Sequence, residues 1–192
     1  MPADLDARWP LDDQVHLRDE LRTAYSSDSR GYHDTRHLAE VLDRLDDLGC
    51  DSVVVRLAAW FHDAVYDAAP GDEERSALWA ERALPSELAG EVARLVRVTA
   101  AHDPAVDDLA GQQLCDADLA ILAASSERYA EYTRDVRKEY AEVPDADFAA
   151  GRAAILADLL ARPTLFHTDL ARSLWEEPAR ANLAAELARL AG

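Results

Sequence analysis

The sequence predicts an all-α fold, and three observations carry that prediction. Apolar residues recur at three- and four-residue spacing through most of the chain, strand-like alternation is nearly absent, and the periodic stretches are separated by Pro, Gly and Ser/Asp clusters. Val53-Val54-Val55 is β-branched, but it runs on into helical periodicity. No repeat, low-complexity tract or linker divides the pattern. A chain of 192 residues, 49% of them hydrophobic, can bury roughly 70% of its unfolded surface, which predicts one single-domain helical bundle spanning 1–192.

Each element follows from its own residues. Leu11, Val15 and the Leu17/Leu21/Tyr25 row predict a first helix ending near the Ser26-Ser27-Asp28-Ser29-Arg30-Gly31 turn. His37, Val41 and Leu45 repeat every four residues with Leu38, Leu42 and Leu48 beside them, so a second helix runs over about 34–48, and Gly49 stops it. A third is predicted over 52–66 and a fourth over 73–84, closed by Pro85 after the Pro70-Gly71-Asp72 loop. Ser86 suits an N-cap for a fifth, whose stripe is Leu88, Val92, Leu95, Val96 and Thr99. His102-Asp103-Pro104 ends it, because the residue before a proline avoids the helical region. Later helices are expected near 116–124, 126–141, 145–161 and 177–191, with Pro144, Pro163 and Pro178 at the breaks.

Composition narrows the function classes. Acidic residues outnumber basic ones 38 to 20, for a formal net charge of -18, and Lys138 is the only lysine. A field of that sign repels nucleic-acid polymers and anionic membranes, so neither is an expected partner. A small anion is still compatible where a metal ion and a few arginines reverse the local potential. Cys50 and Cys115 stand far apart in no metal or redox motif and read as reduced thiols. The N-terminal residues carry no signal-peptide pattern, and no apolar run is long enough to span a bilayer; a cytoplasmic protein is expected. Whether it forms a homo-oligomer is left open.

The most informative feature is His62-Asp63, carried into the apolar run Val53–Tyr66. A buried imidazole or carboxylate is costly unless it is hydrogen-bonded, paired or bound to a metal. Partners are available on other helices. His37 shares its helical row with Val41 and Leu45 and so points inward, with His33 one turn before it. Of Asp116 and Asp118, Asp118 shares a row with Leu114 and Leu122 and should face the core, whereas Asp116 suits an N-cap. His37, His62, Asp63 and Asp118 thus form a two-nitrogen, two-carboxylate set suited to a divalent ion that keeps an open position, with Mn, Co, Ni, Fe, Zn and Mg all compatible. Each residue alone has a plainer reading as a hydrogen-bonded core group or a cap; it is the conjunction that points to metal.

The order Tyr32-His33-Asp34-Thr35-Arg36-His37, His62-Asp63, Ala117-Asp118-Leu119 resembles the HD superfamily of metal-dependent phosphohydrolases. Its first and last segments also resemble the cyclic nucleotide phosphodiesterases. The stretches around Asp118–Leu122, Tyr129–Tyr140, Gly151-Arg152 and Glu177–Leu183 are similar to a bacterial branch of predicted HD phosphohydrolases, so the resemblance covers nearly the whole chain. It implies an HD-type helical bundle, metal ligation by His37, His62, Asp63 and Asp118, and proton donation to the leaving oxygen by His33. Where some HD proteins place histidines for a second metal, this chain offers Asp72 and, further on, His102.

The expected activity is therefore hydrolysis of a small phosphorylated molecule, such as a nucleotide or other phosphorylated metabolite, by metal-activated water. Glu73 or Glu74 could orient the water, and Arg36 and Arg30 could clamp phosphate. His102, at a helix end, could bind phosphate or a second metal, or simply cap the helix. His16 and His167 read as surface residues, the Tyr129/Tyr132/Val136/Tyr140 stripe as core, and Arg152 and Arg180 as members of structural salt bridges. Two other functions fit the same residues: a dinuclear-iron oxygenase, which needs Asp72 and His102 at a second metal, and a catalytically silent module that binds a nucleotide or metal.

Overall fold

Residues 5–190 are described by a computed structural model, and every regular element among them is helical. In chain order the α-helices are α1 (Val15–Tyr25), α2 (Thr35–Asp47), α3 (Val53–Phe61), α4 (Asp72–Ala83), α5 (Ser86–Thr99), α6 (Leu109–Leu119), α7 (Ser126–Glu139), α8 (Asp145–Ala161) and α9 (Asp169–Leu190). Single 3-10 turns lie at Leu5–Arg8 and Ala120–Ala123. The all-α expectation holds. No helix among the described residues is long and apolar enough to cross a membrane.

α3 lies at the centre because it has almost no polar face. Its sequence VVVRLAAWF carries one charge, Arg56, and Val55 together with Leu57 through Phe61 is buried. A helix apolar nearly all round must be covered on most sides, and α3 packs against α2, α4, α5 and α6. Ser52 starts it, its Oγ accepting from the Val55 amide at 3.4 Å. Trp9, ahead of α1, closes over Trp60 edge-to-face at 5.2 Å between ring centroids. α4 and α5 pack as a pair, as do α8 and α9, while α7 and α9 both pack on the 120–123 turn. One cluster of buried apolar side chains draws members from every helix.

Three boundaries differ from expectation, each for a tertiary reason. α3 stops at Phe61 rather than near 66, because the backbone beyond it has partners from elsewhere. Tyr25 Oη accepts from the Asp63 amide at 3.2 Å, Arg30 takes the Asp63 and Ala64 carbonyls, and Ser76 Oγ accepts from the Val65 amide at 3.0 Å. α6 begins at Leu109, well before 116: Asp108 caps it by accepting from the Gly111 amide at 3.0 Å, and the weak apolar pattern of LAGQQ concealed its first two turns. α9 runs straight through Pro178 instead of starting there. The proline removes a bond to the Leu174 carbonyl, but both residues are on the exposed side, where water can satisfy that carbonyl.

Candidate metal centre

The end of α3 brings His62 and Asp63 to α2 and α6. Asp34 sets the start of α2, its Oδ1 accepting from the Arg36 amide at 2.8 Å and the His37 amide at 3.2 Å, so that His37 enters the core one turn later. His62 donates from Nδ1 to the Ala59 carbonyl, 2.8 Å away, one turn back on its own helix. That contact fixes the tautomer and turns the Nε2 lone pair to the centre.

The two Nε2 atoms are 3.0 Å apart. Asp63 Oδ2 is 3.2 Å from that of His37 and 3.1 Å from that of His62. Asp118 Oδ1 completes the cluster at 3.4 and 3.5 Å from the same atoms. Donor atoms ~2.0–2.2 Å from a shared ion would stand ~2.9–3.6 Å from one another across tetrahedral or octahedral edges, and these separations fall in that window. His37, His62 and Asp118 form a mutually close group that could hold a metal ion. Asp63 borders both of its nitrogens. One outer contact is missing: His37 Nδ1 is buried with no hydrogen-bond partner among the described residues.

The two carboxylates favour positive charge at this point. Burial disfavours charge on all four side chains, yet the mutual contacts outweigh it. His62 Nε2 and its neighbours hold Asp63 and Asp118 well below the usual carboxylate range. In turn, Asp63 and Asp118 raise His62 well above the ordinary imidazole value, and His37 is raised by the same two acids. A pocket that stabilises imidazolium against burial is one that favours a cation at its centre.

The two acids of this cluster, Asp63 and Asp118, line a cavity of about 280 Å³ together with His33, Tyr66, Glu73 and His102 among others. His102 puts its Nε2 2.8 Å from Asp118 Oδ2, the oxygen on the far side of the carboxylate from the two rings' contacts. It does so from a left-handed backbone conformation, φ 48°, which is uncommon for a residue with a side chain and here aims the ring. His33 donates from Nδ1 to Glu139 Oε2 at 2.8 Å and stacks on Tyr66 at 4.0 Å.

Glu139, from the end of α7, is the residue that sequence reasoning missed. Its Oε1 accepts from the amides of Gly31, Tyr32 and His33 at 2.7–2.9 Å, and its Oε2 accepts from His33 and from the Tyr66 hydroxyl at 3.1 Å. Burial alone would raise Glu139, but the His33 contact and these amides outweigh it and hold the acid below its ordinary range. Burial and then the Glu139 charge push the Tyr66 hydroxyl far up, so it stays a donor. Nothing local to Lys138-Glu139-Tyr140 signals this role, since the partners lie 73 to 108 residues back.

Several expected roles are corrected. Arg36 points away from the cavity to Glu40 and Glu131, with 54% of its side chain exposed. Arg30 is used up on the carbonyls of His33, Asp63 and Ala64 at 2.6, 2.7 and 2.9 Å and is not free to clamp phosphate. Asp72 closes its own loop, accepting from the Asp67 and Ala69 amides and pairing with Arg75, so Glu73 is the acid that faces the cavity from that turn. Glu74 pairs with Arg97. Asp116 does not cap α6: it is fully buried inside that helix, and it accepts from the His167 and Thr168 amides and the Thr168 hydroxyl at the start of α9. His167 is therefore half-buried rather than a surface residue, while His16 is exposed as expected. Tyr129, Tyr132 and Val136 are core, and Arg152 and Arg180 pair with Glu186 and Glu176.

Compared with protein-family models, with curated proteins and with solved structures, the chain matches none.

Proposed function

We propose that the chain is a metal-dependent hydrolase of a small phosphate ester, as its resemblance to the HD phosphohydrolases implies. The observation that supports this most is that the two acids of a cation-favouring His/Asp cluster and a separate imidazole backed by a buried carboxylate line one cavity. A purely structural metal site needs no such second imidazole.

His37, His62, Asp63 and Asp118 would hold a divalent ion, with His102 fixing the orientation of Asp118. When bound, that ion supplies a water of lowered pKa and polarises a phosphoryl oxygen. The rest falls to the chain. A new P–O bond forms from water as the ester P–O bond breaks, and the departing oxygen takes a proton from His33 Nε2, the ring atom left free by the Glu139 contact. Glu139 keeps that ring in one orientation. Glu73, half-exposed on the cavity wall, can accept the proton lost by water.

Elemental analysis of the purified protein, followed by phosphate release from a panel of phosphomonoesters with and without added Mn²⁺, tests the reading. Metal-dependent release that disappears in His62→Ala supports it. A protein that binds divalent ions but releases phosphate from no ester would leave only the silent binding module, and two irons per chain with oxygen uptake would replace it with the oxygenase.

A further inference from the structure

The metal-facing cavity does not end at His33. A second cavity, about 420 Å³, adjoins it, and the two share the side chains of His33, Tyr66, Tyr132 and Tyr140 as a common wall. Beyond that wall the lining changes character. Val136 on α7, Val143 just after it, and Phe148 and Ile155 on α8 make it mostly apolar. Ile155 is 55% exposed although it belongs to a helix packed on α9, because it faces this opening. A chamber of this size is in the ~300–1,000 Å³ range of small-molecule sites.

The charged groups present argue against a second anion there. Arg152, the chamber's cation, is bidentate to Glu186 at 2.9 and 3.1 Å and lies 5.1 Å from the Tyr132 ring centroid. Asp147 adds negative charge at the rim. Aromatic faces and aliphatic side chains are what remain free. Gly151 keeps the floor open, since a Cβ built on it meets nothing within 4 Å.

Resting on the phosphohydrolase reading, we propose that this chamber receives the alcohol side of the ester, and that this group is aromatic or otherwise apolar, an aryl or nucleobase-sized ring. His33 stands at the junction of the two cavities, where the oxygen joining phosphorus to that group would lie. Specificity is then divided: the metal side takes any phosphoryl group, and the α7–α8 chamber selects what is attached.

The test measures binding and turnover separately. By calorimetry on the Mn²⁺-loaded full chain, 1-naphthylmethylphosphonate should bind at least about tenfold more tightly than methylphosphonate, as expected for burying an aromatic ring. Gly151→Phe, which fills the open floor, and Ile155→Glu, at an exposed position that folding tolerates, should each abolish that advantage while leaving methylphosphonate affinity unchanged. Equal affinities in the wild-type chain, or an advantage that survives both variants, overturn the chamber's role. Phosphate release from 1-naphthyl phosphate and from glycerol phosphate separates the two readings. Equal release from both with no effect of either variant sinks the chamber and keeps the hydrolase. Selective binding of the aryl phosphonate with no release from either ester keeps the chamber and sinks the hydrolase.

Discussion

Glu139 and His33 are 106 residues apart in the chain, and their side chains meet at 2.8 Å between Oε2 and Nδ1. The same carboxylate accepts from three consecutive amides just before α2, so one side chain at the end of α7 both shapes the loop and orients the imidazole that loop carries.

Glu139→Gln separates those duties. The amide oxygen can still accept from the backbone, but its NH₂ confronts the His33 Nδ1–H donor. A kcat loss of roughly 10–100-fold is expected, typical of a misplaced general acid, with KM nearly unchanged. Glu139→Ala should add a stability loss of about 1–3 kcal/mol from the orphaned amides, read by urea denaturation. Because its pKa is held below the ordinary carboxylate value, the native Glu139 stabilises fully above about pH 4–5 and loses that contribution as pH falls through its folded value. The wild-type-to-Gln stability difference should therefore shrink in acid.

His62→Ala and Asp118→Asn should each remove stoichiometric Mn²⁺ binding while circular dichroism still reports a helical chain. His102→Gly is the subtler variant. It relieves a left-handed backbone at no steric cost and removes the outer contact to Asp118. Metal affinity should fall by roughly 10–100-fold by calorimetry, the usual penalty for losing an outer-sphere partner, with thermal stability unchanged or slightly higher.

Two helical glycines should respond oppositely to alanine. At Gly151 the added methyl meets open space, so Gly151→Ala should gain about 0.5–1 kcal/mol from helix propensity. At Gly111 the methyl would run into the Asp108 carboxylate and lie 3.1 Å from Pro104 Cβ, so Gly111→Ala should destabilise and loosen the α6 cap. Denaturant midpoints of the two variants check the sign of each.

Asp108 offers a second acid-sensitive contact outside the candidate metal centre. It caps α6 and pairs with Arg94 at 2.6 Å, and the Arg94 hydrogen bond, with help from the Gly111 amide, holds it below the usual aspartate range against a modest burial penalty. Asp108→Ala should cost about 1 kcal/mol at pH 7, a typical cap loss. The native contribution is complete above about pH 4 and disappears as pH falls through the lowered folded pKa. Parallel melts at pH 7 and pH 3 should show the variant and wild type converging.

The residues that carry periodic information were legible in the sequence. His37, Asp118 and the α2 stripe follow from four-residue rows, and the meeting of His62-Asp63 with them follows from the cost of burying such groups unpaired. What depended on partners remote in sequence was not legible. The stop of α3 is written in Tyr25, Arg30 and Ser76, none of which lies in α3. Arg36 and Arg30 looked equivalent beside the histidines, and only the fold assigns one to surface acids and the other to backbone carbonyls. Pro178 looked like a break because its exposed setting, which makes it tolerable inside α9, is a property of packing.

Arg30 spans two stretches of backbone with three hydrogen bonds, to His33 on one side and to Asp63 and Ala64 on the other, and rests against the Tyr25 ring 4.9 Å away. A planar fork can grip several carbonyls at once, whereas a lysine ammonium has no such shape. The spacing between His33, the proposed proton donor, and Asp63, a proposed metal ligand, is thus set by a residue that would touch neither ion nor ester. Evolution or engineering could exchange the α7–α8 chamber wholesale and keep the proposed reaction, provided this one clasp stays closed.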